Sequence, residues 1–583
     1  MPHVHPAGRR LSAMLAVTAL SVLLLSPAAQ AAPTSSAHRP DAAPSVATPA
    51  GAVKAKKTGT VPVRLISFND LHGNLEAPGG SSGQVTLADG TKVDAGGAAY
   101  LATRVKQLQY GHNSLLLSAG DNIGASPLAS ALFHDEPTID VLNAMGVRAS
   151  VVGNHEFDEG LAELRRIQLG GCQVPDGCQF RTSYAGADFP YLGANVRFDT
   201  GKQAFSPFSI QKVGGVKVGV IGVTLKGLPE VVTPTAVSGL EFTDEVAAIN
   251  RSSKLLQKMG VKAQVVLMHQ GDETTGLGGP NACQLGSEQL AHQIATKATA
   301  RVDAFFAGHT HQAERCTVRD PLGRPRPLIQ GLSFGRLLSV VDVRVSRRTH
   351  DVVRSRTTAR NVVVTRTVTP DATVKAIVDR AVTKSAPLAN RQIGSTTQVL
   401  LGRGSDAPEK PLGDVIADAQ LAATTGNGAQ IAITNPGGIR GDLDAGPVTY
   451  GEAFTVQPFA NIMQTITLTG AQLKAVLEQQ QQTAGADPTW LQVSSTLHYT
   501  WTTSAALGSK VSAITVAGLP VNPTASYRVS VNNFLAAGGD GFTVFEAGTD
   551  LTGGPIDLDA LVDYLGDHPN LSAPAANRIN VVG

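Results

Sequence analysis

Five segments of this sequence follow a short β-branched or aliphatic run with side chains that bind metal ions. They are Phe68-Asn69-Asp70-Leu71-His72, Ala119-Gly120-Asp121, Gly153-Asn154-His155, Met268-His269 and Ala307-Gly308-His309-Thr310-His311. Carboxylate, amide and imidazole donors in one set suit Zn, Mn, Fe or Co, whereas calcium takes an all-oxygen shell. A centre of two divalent ions about 3.5–4 Å apart needs a bridging carboxylate and about three or four further ligands per ion. The set meets that count. Asp70, His72, Asp121 and His311 are assigned to one ion, and Asp121, Asn154, His269 and His309 to the other, with Asp121 bridging. Gly120, Gly153 and Gly308 adjoin these donors, and glycine tolerates the backbone angles and close approach that such loops require.

Donors this far apart in sequence meet only if the chain brings its strand ends to one edge. Val63 to Phe68, Leu115 to Ser118, Ser150 to Val152, Val216 to Val223, Gln264 to Met268 and Ala304 to Phe306 read as buried strands. Ala98 to Leu108, Glu245 to Met259 and Ser287 to Ala298 read as helices between them. In open α/β sheets the loops beyond the strand C-termini converge on one crevice, which is where all five donor segments fall. A polar, Arg- and Thr-rich stretch from Ser346 to about Thr369 ends the first domain's strands, and Thr369-Pro370-Asp371 starts a connecting helix that runs to Ser385. Beyond it, Leu412 to Ala423 and Gly470 to Gln481 read as helices, and Ile431 to Thr434 and Tyr527 to Val531 as strands.

In that order, Asp70-x-His72, Gly120-Asp121, Gly153-Asn154-His155-Glu156-x-Asp158, His269 and Gly308-His309-x-His311 resemble the calcineurin-like metallophosphoesterase signature in its 5'-nucleotidase form. Some members of that family carry Gln or Asn at the position of His311. The second half resembles the family's nucleotide-binding half. Asn435-Pro436-Gly437-Gly438-Ile439-Arg440 is similar to its glycine loop, Gln457-Pro458-Phe459 to its aromatic segment, and Asn533-Phe534 through Asp540-Gly541-Phe542 to its terminal clamp. The resemblance implies an α/β chain: a layered αββα metallophosphoesterase domain over 61–368, a linker helix over 369–389, and a mixed α/β substrate-binding domain over 390–583. It also implies two divalent ions, Zn, Mn or similar, and a nucleotide as the small-molecule substrate. Phe459 and Phe534 would sandwich the base, Asp540 would accept ribose hydroxyls, and Arg440 with Arg403 would hold the phosphate near Asn435 and Gly438. The segment from Gly404 to Lys410 is longer than the family pattern. A glycine-rich loop ahead of an arginine makes sense unaided, because the backbone can approach a ligand while the guanidinium grips it in a fork.

The chemistry expected of this set is phosphate-monoester hydrolysis by metal-activated water, with no covalent nucleophile. His155, beside Asn154, is placed to stabilise the equatorial oxygens or protonate the leaving group, and Asp158 to hold its ring. A 2',3'-cyclic-nucleotide phosphodiesterase with 3'-nucleotidase activity shares the plan, as does a UDP-sugar hydrolase. A non-catalytic nucleotide- or metal-binding surface protein would not need His155.

With 48 Lys and Arg against 46 Asp and Glu, the chain's net charge of +2 gives no reason to expect nucleic acid as a partner, so an anionic substrate must be caught by local groups. The N-terminus has the three parts of a secretory signal: Arg9-Arg10, an apolar run from Leu11 to Leu25, and Ala29-Gln30-Ala31. A cleaved leader over 1–31 and a flexible tether over 32–60 are expected, with no transmembrane anchor. The product would be secreted, extracellular or wall-associated, or periplasmic where an outer membrane exists. In an oxidising compartment the four cysteines pair as two disulfides. Three connectivities are possible; the turn through Pro175 and Gly177 favours Cys172 with Cys178, and hence Cys283 with Cys316.

Overall fold

The computed structural model describes residues 59–274, 276–286 and 289–583. The expected leader, the tether as far as residue 58 and the first residues of the expected Ser287 helix lie outside the described residues. Two six-stranded sheets form the first half. One runs Thr358–Val363, Leu337–Ser346, Thr60–Phe68, Ser114–Ser118, Val147–Val151, Tyr191–Leu192; the last four are parallel and the first two antiparallel. The other runs Glu314–Arg319, Pro325–Gln330, Ala304–Phe306, Ala263–His269, Val216–Thr224, Phe208–Val213, with the four inner strands parallel. The sheets face each other across Val63, Leu65, Leu117, Val220, Val265 and Phe306.

Helices cover both outer faces. Ala98–Gln109, Glu136–Met145 and Ala372–Ala389 pack on the first sheet through Ile66, Phe68 and Leu116, while Glu245–Lys258 and Leu290–Lys297 pack on the second through Val223, Val266 and Phe305. This is the αββα layering. Strands covered on both faces read as unbroken apolar runs, as Ala263–His269, buried throughout, does. Parallel register brings the strand ends level: Phe68 lies beside Ser118, and Leu267 beside Phe306. The loops that follow them therefore leave from one edge.

Two boundaries differ from the sequence reading. The polar stretch after Ser346, expected to end the strands, instead folds back, and Thr358–Val363 pairs with the preceding strand, Leu337 opposite Val363. An edge strand tolerates such polar composition because one side of it needs no apolar partner. The connecting helix runs on to Ala389, and Val374, Val378 and Ala381 are buried in the first half's core. It starts on Asp371, whose carboxylate accepts the N–H groups of Thr373 and Val374, both at 3.1 Å. The helix is thus part of the first half's packing as well as the route to the second.

The second half contains a mixed five-stranded sheet, Gln492–Val493, Ile431–Thr434, Ser526–Asn532, Ile462–Thr469, Thr549–Ile556. Its own core holds Trp501, Val529, Phe542 and Phe545. The helix Pro411–Thr424 flanks it, and Gly470–Glu478 ends three residues before the expected Gln481. Disulfides join Cys172 to Cys178 and Cys283 to Cys316. Among the described residues no helix is long and apolar enough to cross a membrane.

Candidate active site

Every donor singled out in the first half converges beyond the level strand ends. Nε2 of His72 lies 3.0 Å from Nε2 of His311, which is 3.4 Å from Asp70 Oδ1. Asp121 Oδ2 lies 3.7 Å from His72 Nε2 on one side and 3.0 Å from His269 Nε2 on the other. Asn154 Oδ1 is 3.1 Å from His269 Nε2 and 2.9 Å from His309 Nδ1. Asp70, His72 and His311 lie together, as do Asp121, His269 and His309, and Asp121 also groups with His72 and His155. His155 Nδ1 is 2.9 Å from Asp158 Oδ2, and the imidazole edge of His155 lies against the His72 ring.

The loops that hold these groups are strained and tightly fitted. Asp70, His72, Asp121, His309 and His311 all have left-handed backbone angles, φ 46 to 80°, a conformation that non-glycine residues adopt rarely and at a cost. A Cβ on Gly153 would fall 2.1 Å from Asp121 Oδ1, so only glycine leaves room for that carboxylate. Three residues that the sequence reading did not single out supply the support. Glu156 is buried, and its carboxylate accepts the backbone N–H groups of Asp121, Asn122 and Gly153, tying two donor loops together. Asn69 bonds Asp70 Oδ2 and clamps residue 331 from both ends of its amide. Phe334 packs on His72 and His311 and bonds the Asp70 carbonyl through its N–H. Glu156 and Asn69 sit inside the motifs and were findable as buried polar neighbours; Phe334 carries no local signal.

The donor set fits divalent cations on its own chemistry. His72 Nδ1 donates to the Gly124 carbonyl and His269 Nδ1 to that of Ala119, which turns the lone pair of each Nε2 inward. There His269 Nε2 meets two acceptors, Asp121 Oδ2 and Asn154 Oδ1. Such a cluster needs a positive charge at its centre. Between His269, Asp121 and Asn154 a proton can supply it: burial opposes it, but Asp121 and Asp70 raise His269 to about 10. Burial holds His72 and His311 well below the ordinary histidine range and His309 at about 4, so these rings are neutral, as ligands must be.

From the second half, Arg403 Nη2 donates to His311 Nδ1 at 3.0 Å. Arg440 lies within electrostatic reach of Asp121, Asp158, Asp70 and Asp540, and its Nη2 is buried with no hydrogen-bond partner. Phe459 stacks on His155, ring centroids 5.6 Å apart and planes 19° apart, with the Arg440 guanidinium over the same ring. Asp540, itself at φ 55°, accepts from Asn435 Nδ2 at 2.7 Å, and Gly438 N–H bonds the Asn435 carbonyl. Phe534 rests on the backbone of Gly539. The two rings expected to enclose a base thus have separate supports, one an imidazole and one a glycine. A cavity of about 420 Å³ opens beside Arg440, bounded by Gly73, Asn74, Phe334 and Thr455.

Comparison with known proteins places this arrangement. Residues 63–313 match the calcineurin-like phosphoesterase family, and residues 392–547 match the 5'-nucleotidase C-terminal domain. The chain is 33% identical to the cell wall protein Lmo0130 of Listeria monocytogenes, over 87% of this chain and 67% of that protein. The chain belongs to the 5'-nucleotidase family. The chain is also similar to the endonuclease YhcR of Bacillus subtilis, 34% identical over 87% of this chain; the chain spans only 40% of that protein's length. Among solved structures, the 5'-nucleotidase precursor of Thermus thermophilus superposes with a TM-score of 0.75 at 27% identity, covering 89% of this chain and 99% of that one. Membership makes the chain a phosphoesterase whose fold implies divalent metals. The family members bear names of different activities, so the substrate is a question for the site.

Proposed function

We propose that the chain hydrolyses the phosphate monoester of 5'-nucleotides in the crevice between its halves. One observation carries the reading: the Arg440 guanidinium, beside three first-half carboxylates, has a buried Nη2 without an acceptor. An unsatisfied buried donor costs about 1–3 kcal/mol, and a phosphate oxygen is the acceptor that a forked guanidinium meets best. In this reading Asp70, His72, Asp121 and His311 would hold one divalent ion and Asp121, Asn154, His269 and His309 the other, and such ions, when bound, would supply Lewis acidity to phosphate oxygens and to water. Arg440 binds the equatorial oxygens as negative charge moves onto them. His155, its Nδ1 engaged by Asp158, has Nε2 left to give a proton to the departing ribose oxygen.

In the same reading, residues 61–368 carry the reaction and residues 390–583 select the substrate. Phe459 and Phe534 stack the base, Asp540 accepts ribose hydroxyls, Arg403 assists Arg440, and the Asn435 to Gly438 loop closes on the phosphate. Two disulfides and the leader-like N-terminus support action outside the cytoplasm. The cavity of about 420 Å³ beside Arg440 supports cyclic nucleotides or UDP-sugars as the second reading. The deciding experiment follows the products formed from 5'-AMP, 3'-AMP, 2',3'-cyclic AMP, ATP and a UDP-sugar, with and without added Mn or Zn: inorganic phosphate from the monoesters and ATP, a nucleoside monophosphate from the cyclic diester, and UMP from the UDP-sugar. Fastest turnover of 5'-AMP supports the first reading. No release from it, with turnover of the cyclic or diphosphate substrates, replaces it with the second.

A further inference from the structure

At the opposite edge of the second sheet lies a groove of about 1030 Å³. Lys262 precedes the strand Ala263–His269, whose far end carries the metal-site histidine His269. Seven residues at about 3.3 Å each put the groove roughly 20 Å from that site. Its cations come from separate segments: Lys254 on the helix Glu245–Lys258, Lys262, Lys297 at the end of Leu290–Lys297, and Arg301. All four are exposed. Lys254 and Lys262 make no hydrogen bond or ion pair among the described residues, and Lys297 meets only the neutral amide of Gln293. Two more arginines line the groove but are committed, Arg354 to Asp303 and Asp320, and Arg324 to Asp320. Asp351 is the remaining lining carboxylate. Four cations without an ion pair among the described residues therefore share one depression of a chain whose total charge is almost balanced.

We propose that this groove binds an extended phosphodiester polymer that carries polyols rather than bases. Four cations spread over separate segments suit a repeated charge, not a single phosphate. Asn250, Lys254 and Gln257 lie at i, i+4 and i+7, on one face of their helix, so that neutral amides flank the ammonium and can meet hydroxyls between successive phosphates. Nucleic acid fits less well, because single strands are held by bases stacking on aromatic rings and no Phe, Tyr or Trp lines the groove. The role is independent of turnover at the metal site and would hold the enzyme on an anionic matrix.

Binding of the full chain to poly(glycerol phosphate), poly-dT, poly-glutamate and inorganic phosphate tests this. Poly(glycerol phosphate) should bind most tightly, and if about four cations are neutralised its affinity should fall about 50-fold between about 50 and 200 mM salt. The triple variant Lys254→Gln, Lys262→Gln, Lys297→Gln should lose that binding while hydrolysing 5'-AMP and p-nitrophenyl phosphate at the wild-type rate, which also shows that it folds. Tighter binding of poly-dT or poly-glutamate, no binding at low salt, or binding unchanged in the triple variant would overturn the proposal.

Discussion

At the scale of single residues, the carboxylate of Asp121 is the pivot, because its Oδ2 lies between His72 of one donor group and His269 of the other. We predict that Asp121→Ala loses both ions and nearly all turnover. His155→Ala should keep its metal and lose about 10²–10⁴-fold in kcat, the range for removing a positioned acid or base. Elemental analysis alongside rates separates the two, and full metal content in Asp121→Ala would refute the bridge. The aromatic residues make a second test, which the structure sharpens. Phe459 lies on His155, whereas Phe534 rests on Gly539; in the proposed reading both rings meet the base. Losing one stacked ring, worth about 1–3 kcal/mol, should cut kcat/KM for 5'-AMP about tenfold or more in either alanine variant. On p-nitrophenyl phosphate, which has no base, Phe459→Ala should be impaired and Phe534→Ala should match wild type. Equal losses on both substrates in Phe534→Ala, with a lower Tm, would make that ring a core residue.

At the scale of elements, the turn that follows His155 and Asp158 is tied down by an imidazole outside the metal cluster. His134 lies 3.3 Å from Glu159 and 3.1 Å from Asp176, the latter inside the Cys172–Cys178 loop, with Glu163 nearby. Its hydrogen bond to Glu159 outweighs burial and, with Asp176 and Glu163, raises His134 to about 9. A folded pKa above the unfolded value of about 6.5 stabilises the fold fully below about pH 6.5, and that contribution is lost as pH rises through about 9. His134→Gln should therefore lower Tm at pH 6, and the gap to wild type should close by about pH 10. A gap that stays constant across that range would show that the contact is steric rather than ionic.

At the scale of the whole molecule, side chains of the second half reach the first half's site. In this conformation Arg403 bonds His311 and Phe459 covers His155. A neutral imidazole has one lone-pair nitrogen, so a His311 ring that accepts from Arg403 at Nδ1 has no lone pair on Nε2 for a metal. Likewise, a base that stacks on the Phe459 face now against His155 must take that imidazole's place. We predict that the halves rotate relative to each other between metal loading, substrate binding and release. Glu230 of the first half and Leu507 of the second line one cleft. A matched bifunctional cross-link between Glu230→Cys and Leu507→Cys, the native disulfides left intact, should slow turnover of 5'-AMP severalfold. Unchanged turnover in fully cross-linked protein would mean a rigid enzyme.

The sequence by itself carried the layered α/β plan, because strands buried on both faces read as unbroken apolar runs, as in Ala263–His269. It also carried the list of donors, since Asp70, Asp121, Asn154, His269 and His309 each stand just beyond such a run, where chemistry and position can be read together. What it could not carry was whatever depends on residues that meet only in space. The edge strand Thr358–Val363 is polar because of its place in the sheet, so its composition imitates a linker. Phe334 reaches His72 and His311 from a loop with no motif, and Glu156 acts by collecting N–H groups from two loops. The stacking of Phe459 on His155 joins residues more than 300 positions apart, and the basic groove gathers charges that cancel in the chain's total. Local pattern reports which face of an element is buried and where it ends; which side chain lies across from it is decided by how the sheets and halves pack.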